Sequence, residues 1–198
     1  MKTKIASDRF LVMQFIEKTK EVNYFGLSLN GKIYIDYKDE VLRCKSDSYG
    51  HYCHFFKCKK DETYQKIVSM MKETKYNGIF DAEFLLGKDE KLYFMEVNFR
   101  VDGAVYRLLP GVNLPAEWCR LSISEGAIPP PDLNLGKEDF YGMTEVADFR
   151  ENVLTGKINP LLWLWQLCKA EKLMLLNMRD PLPLFAKVFC VVKRMLHF

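Results

Sequence analysis

Nothing in the sequence is built to cross a bilayer. A spanning helix needs about 18 to 20 consecutive apolar residues. The longest candidate, Leu161 to Leu167, is broken off by Lys169, Glu171 and Lys172. Met1 to Arg9 is polar and does not read as a signal peptide. Blocks of one charge are also missing. With 29 Lys and Arg against 26 Asp and Glu, the net charge is only +3 and no basic cluster tracks a nucleic-acid backbone, so nucleic acid is not an expected partner. Internal repeats and low-complexity tracts are absent, which excludes solenoids and flexible linkers.

What is present is material for a core. The 198 residues are 48% hydrophobic and include 14 Phe, 10 Tyr and 3 Trp, enough for an ordinary globular fold. Six cysteines (Cys44, Cys53, Cys58, Cys119, Cys168 and Cys190) are scattered rather than paired, the pattern expected of reduced thiols in a cytoplasmic protein. Cys53-His54 with Cys58 offers half of a zinc set. A structural site needs a second short-spaced pair, so these are expected to be packing thiols.

The order of elements is α+β. Phe10 to Ile16 is a short apolar run expected as a buried strand, and Val22 to Leu29 as a second. Asn30-Gly31 is a two-residue hairpin signal, with Lys32 to Tyr37 returning. Val41 to Phe56 reads as strand plus loop. Asp61 to Glu73 carries Tyr64, Ile67, Val68 and Met71 at helical spacing. Ile79 to Leu86 and Leu92 to Phe99 form an antiparallel pair around Gly87 to Lys91. Val112 to Ser124, Asn159 to Asn177 and Leu184 to Leu196 are helix candidates, and Pro129-Pro130-Pro131 is a break. The expected organisation is an antiparallel sheet with packed helices over residues 1–128, then a peripheral, largely helical segment over 129–198.

The second hairpin carries the chemistry. Strict alternation puts Tyr93, Met95 and Val97 on a core face and Leu92, Phe94, Glu96, Asn98 and Arg100 on the other. A four-residue loop, Lys88 to Lys91, sets Glu83 opposite Glu96; a loop one residue different sets Ala82 there. Opposed carboxylates repel unless a cation lies between them. Mg²⁺ takes hard oxygen ligands, typically one or two carboxylates plus phosphate oxygens, with the Asn98 amide as a further donor and Arg100 as a phosphate fork. Spacing alone leaves this reading open beside a plain solvated strand face.

The segment Asn77-Gly78-Ile79-Phe80-Asp81-Ala82-Glu83-Phe84, a turn, then Tyr93-Phe94-Met95-Glu96-Val97-Asn98-Phe99-Arg100 resembles the metal-binding hairpin of ATP-grasp enzymes, and Gly111-Val112-Asn113-Leu114-Pro115 resembles the segment that follows that hairpin in the family. The resemblance implies the C-terminal subdomain of that fold, with Glu83, Glu96 and Asn98 as magnesium ligands and Arg100 as the catalytic group meeting charge on the transferred phosphate. Leu11 to Ile16, with Gln14, Phe15 and Ile16, resembles the hinge strand against the adenine. Glu21 is placed like the ribose carboxylate, and Arg43 like a basic residue near the phosphates. Asp180-Pro181-Leu182-Pro183 resembles the tail of carboxylate–amine ligases related to D-aspartate ligase and carbamoyl-phosphate synthetase.

The implied activity is ATP- and Mg²⁺-dependent ligation of a small carboxylate to an amine through an acyl phosphate, with Mn²⁺ as a substitute metal. The family's phosphate-gripping lysine and glycine-rich loop have no counterpart here. The chain is therefore expected to be the C-terminal half of such an enzyme, its other half supplied by a separate chain or domain. The alternative is a non-catalytic nucleotide-binding or interaction module. The last helix, with Phe185, Val188, Phe189 and Val192 beside Lys187, Lys193 and Arg194, is expected to pack on its own domain, with a membrane or partner as the other reading.

Overall fold

The computed structural model describes residues 12–44, 50–101, 113–127 and 139–196. Seven strands form one sheet in the order β5-β4-β1-β2-β3-β6-β7, comprising β1 (Lys18–Leu29), β2 (Lys32–Cys44), β3 (Gly50–Lys57), β4 (Gly78–Gly87), β5 (Leu92–Asn98), β6 (Asp139–Met143) and β7 (Lys172–Leu173). All neighbours are antiparallel except β6 and β7. The helices are α1 (Glu62–Thr74), α2 (Leu114–Ile123), α3 (Glu145–Asp148) running into a π-helical turn (Phe149–Val153), α4 (Pro160–Lys169) and α5 (Leu182–Leu196).

Local chemistry explains most of these elements. Asn30 and Gly31 both hold positive φ, 49° and 76°, the geometry of the two-residue hairpin turn whose twist suits the flanking strands. A Cβ on Gly31 would lie 2.6 Å from the Met71 carbonyl oxygen, so the turn is seated against α1. The Asp61 side chain accepts from the Tyr64 N–H at 2.9 Å and caps α1. Lys75, in the left-handed region, closes the other end by donating to Lys72.

The sheet buries both faces. On one, α1 lays Tyr64, Ile67 and Met71 against Val22, Tyr24, Phe80, Ala82 and Phe84. On the other, Leu114 and Leu121 of α2 cover Leu27, Leu29 and Ile79, while Phe25, Phe55 and Phe140 pack further along. Phe140 belongs to β6, so the segment after residue 129 contributes strands to the sheet as well as helices. Fully burying one such aromatic stabilises by about 1.5–3 kcal/mol.

Two expectations are corrected. Val12 to Glu17 is not a strand, and Phe15 stands 88% exposed; Phe10 and Leu11 lie outside the described residues. An apolar run reports that something covers it, and within the described residues β1 begins only at Lys18, where it meets Gly87 at the end of β4. The helix expected over Asn159 to Asn177 stops at Lys169. The reason is tertiary. The buried Glu145 carboxylate accepts N–H groups from Met174, Leu175 and Leu176 at 2.9, 2.8 and 2.6 Å, bonds that a continuing helix would have closed internally. The Pro129-Pro130-Pro131 break lies outside the described residues.

Candidate functional site

The β4–β5 hairpin does bring Glu83 opposite Glu96, by a route different from simple alternation. Its loop is five residues, since Leu86 pairs with Leu92, which by itself would set Ala82 against Glu96. Met95 then sits in the strand without a partner as a β-bulge, and the register recovers. The faces follow the bulge. Leu92 and Val97 pack on the α1 side, and Phe94 meets Phe84 edge-on there at 5.6 Å. Tyr93, Glu96 and Asn98 share the opposite face with their partners Leu85, Glu83 and Asp81. The expected grouping of Tyr93 with Val97, and of Leu92 and Phe94 with Glu96, is corrected accordingly.

On that face the Asn98 amide nitrogen donates to Glu83 Oε1 at 2.6 Å and to Glu96 Oε1 at 3.2 Å. Two carboxylates thus converge on one small donor. Pairing continues the polar row inward: Asn23 stands beside Glu83, and the buried Asp39 beside Asn23. Asp81, also buried, adjoins Asn98 and Phe25. Asn23 and Asp39 had not been singled out from the sequence. The turn register alone pairs Asn23 with Lys38, and a second bulge, at Tyr34, moves Asp39 there instead.

The other predicted residues distribute as follows. Arg100 is exposed at the end of β5, with one guanidinium nitrogen 3.4 Å from the Val101 carbonyl. Glu21 pairs with Leu85, on the same face as Glu83 and one row along, and is ion-paired to Lys18. Gln14, Phe15 and Ile16 line a concavity of about 650 Å³ with Leu85, Tyr93 and Phe94, beside the acidic pair. Arg43 is not brought to the hairpin. Its guanidinium lies over Tyr52, donates to both oxygens of Asp148 at 2.7 and 2.5 Å, and to Gln166 at 2.9 Å. The residues of the half-zinc pattern also separate. Cys53 is in the core on the α2 side, Cys58 packs on the α1 side, and His54 meets Asp139 at 2.6 Å and stacks on Tyr141.

As a donor set, two carboxylates and an amide are hard oxygen ligands, suited to Mg²⁺ and unsuited to soft metals. The Asn98 amide would have to turn its oxygen, rather than its nitrogen, toward the carboxylates. Among the described residues no cluster of three or more His, Cys, Asp or Glu is arranged to hold a metal ion, so the amide is an essential part of this set.

No protein-family model matches the chain, and no curated protein does. Solved structures resemble parts of it. N5-carboxyaminoimidazole synthetase from Staphylococcus aureus, complexed with ADP, is 16% identical over 48% of this chain and 26% of its own, with a TM-score of 0.40. L-amino acid ligase from Bacillus licheniformis is 20% identical over 59% of this chain and 34% of its own, at 0.43. The biotin carboxylase domain of the Hydrogenobacter thermophilus 2-oxoglutarate carboxylase, in complex with MgADP, ADP and bicarbonate, is 20% identical over 59% and 27%, at 0.46. The chain therefore spans between about a quarter and about a third of these proteins.

Proposed function

We propose that this chain is the C-terminal, metal-binding half of an ATP-grasp carboxylate–amine ligase, and that Glu83, Glu96 and Asn98 hold Mg²⁺ with ATP. The observation that carries the reading is the convergence of the Glu83 and Glu96 carboxylates on the Asn98 amide, on a face bordered by the Gln14–Ile16 concavity. Bound Mg²⁺ would neutralise phosphate charge. Phosphoryl transfer is mainly positioning and electrostatics, which is consistent with a site that offers no nucleophile.

The chain's own residues divide the remaining work. Glu83 and Glu96 fix the metal's place on a rigid sheet rather than on a loop. Asn98 sets the spacing between them. Arg100, exposed just past the end of β5, would meet the charge on an acyl phosphate. Glu21 and the Gln14–Ile16 segment would take the nucleoside, whose carboxylate and amine co-substrates bind on the half supplied elsewhere.

Calorimetry with Mg²⁺-ATP on this chain tests the reading. Saturable binding is expected, and Glu96→Gln should abolish it while leaving the far-UV circular dichroism unchanged and the melting temperature no lower. Equal binding by the variant would overturn the metal assignment.

One observation favours a second reading, a nucleotide-binding module without turnover. Arg43, the cation expected near the phosphates, is held by Asp148. Binding without ADP release, even when the complementary half is added, would select that reading.

A further inference from the structure

The last two helices turn a broad apolar surface outward. In α5, Leu184, Val188 and Val191 line a groove of about 360 Å³ with Val146, Phe149 and Trp163. At 3.6 residues per turn, Phe185 and Phe189 form a second stripe beside this one, with Val192, which also lines the groove, at the border. Phe185 and Phe189 are 63% and 68% exposed, and Leu182, before them, is exposed too. In α4, Trp163 and Leu167 face the same groove, while Leu161, Leu164 and Trp165 are exposed. Expected self-packing thus accounts for only one side of each helix.

Charge says what covers the rest. Residues 154–198 contain seven of the chain's 29 Lys and Arg but only two of its 26 Asp and Glu. Neither α4 nor α5 contains an acidic residue. Lys187 and Lys193 are exposed on α5, and Lys169 Nζ sits 4.0 Å from the centroid of the exposed Trp165 ring. Aromatic and aliphatic side chains facing outward with lysines at their border are the composition of a helix that lies in a lipid headgroup layer. No helix among the described residues is long and apolar enough to cross a membrane.

We propose that α5, with the exposed side of α4, docks this protein on an anionic lipid surface. The phenylalanine stripe would enter the acyl boundary, and the lysines would meet acidic headgroups. A protein groove would engage one compact anchor set. Here the exposed apolar residues extend over both helices and the connection between them, where Met178 is 88% exposed, which suits a continuous surface better. This inference does not depend on the ligase reading.

The test is co-sedimentation of the full chain with vesicles of phosphatidylcholine, with and without phosphatidylserine. The expected result is pelleting with the phosphatidylserine vesicles that weakens as salt is raised. Phe185→Ser with Phe189→Ser should weaken it by about tenfold or more, since each loses a buried aromatic, with circular dichroism unchanged. Lys187→Glu with Lys193→Glu should weaken binding to the anionic vesicles alone. Absence of pelleting, equal pelleting of the phenylalanine variant, or equal binding to neutral vesicles would overturn the proposal. So would a self-association that the phenylalanine variant abolishes in a protein that ignores vesicles, because the stripe would then belong to a second copy.

Discussion

Two carboxylate settings in this molecule look alike in sequence and differ in everything else. Asp148 is 0% exposed, and its two oxygens receive N–H groups from Arg43, Asn152 Nδ2 at 2.8 Å and Trp163 Nε1 at 2.8 Å. Arg43 comes from β2, and the other two donors come from the C-terminal segment. Asp148 is therefore a fastening, tying that segment to the sheet with a charge complement already in place. Glu83 and Glu96 face each other across β4 and β5 and share one neutral amide. A buried acid matched by a guanidinium is architecture; two acids facing each other across a strand pair, on a face bordered by a concavity, are a setting that an incoming cation would suit.

The largest test of that contrast is Asp148→Asn. It leaves the half-buried Arg43 guanidinium against a neutral group and should cost up to about 3–5 kcal/mol, the range for breaking a buried pair from one side. Urea unfolding measures it, and a loss under about 1 kcal/mol would remove Asp148 from the role of fastening. Alkaline unfolding is the next test. Burial pushes the Tyr37 and Tyr52 hydroxyls up to about 12, and those of Tyr24 and Tyr64 above the usual tyrosine range. A raised pKa means that the folded state holds its proton more tightly. Stability is therefore complete below about pH 10, the unfolded value, and falls as pH rises from there toward 12. A melting series across that window should show the fall even in Asp148→Asn.

Smaller effects belong to the acidic pair. Mg²⁺-ATP at about ten times its Kd should stabilise the wild type by about 1.4 kcal/mol and Glu96→Gln by nothing, read as a shift in Tm. Without ligand, Glu83→Gln or Glu96→Gln should change stability by less than about 1 kcal/mol, and toward stabilisation, because like charges across a strand pair are relieved. Marked destabilisation would make the pair a fastening as well.

Much of this molecule was legible from its sequence, and the illegible parts share a cause. The Asn30-Gly31 turn, the Asp61 cap with the Tyr64, Ile67 and Met71 face, and the β4–β5 hairpin are local signals, decided within a few residues. The bulges at Tyr34 and Met95 are not, because they reconcile a turn with packing on both faces of the sheet. They decide that Asp39 joins Asn23, and which residues of β5 stand with Glu96. The apolar run Phe10 to Ile16 reads as a strand, yet its described part, from Val12, is none, because hydrophobicity measures a need for cover and carries no address. Helix α4 ends early because of Glu145, some 25 residues away in the chain.

The bulge at Met95 makes that residue a spacer that the strand can lose without losing step. Deleting it would leave Leu92-Tyr93-Phe94-Glu96-Val97-Asn98, a strand in perfect alternation with each side chain on the face it occupies now. Deleting Val97 instead would turn Asn98 to the face opposite Glu96. What the shortened strand would lose is the local kink, and with it the aim of Glu96 toward Glu83. Met95 is in this sense a vernier on the proposed metal site, adding nothing to which atoms are offered and setting only the angle at which they meet.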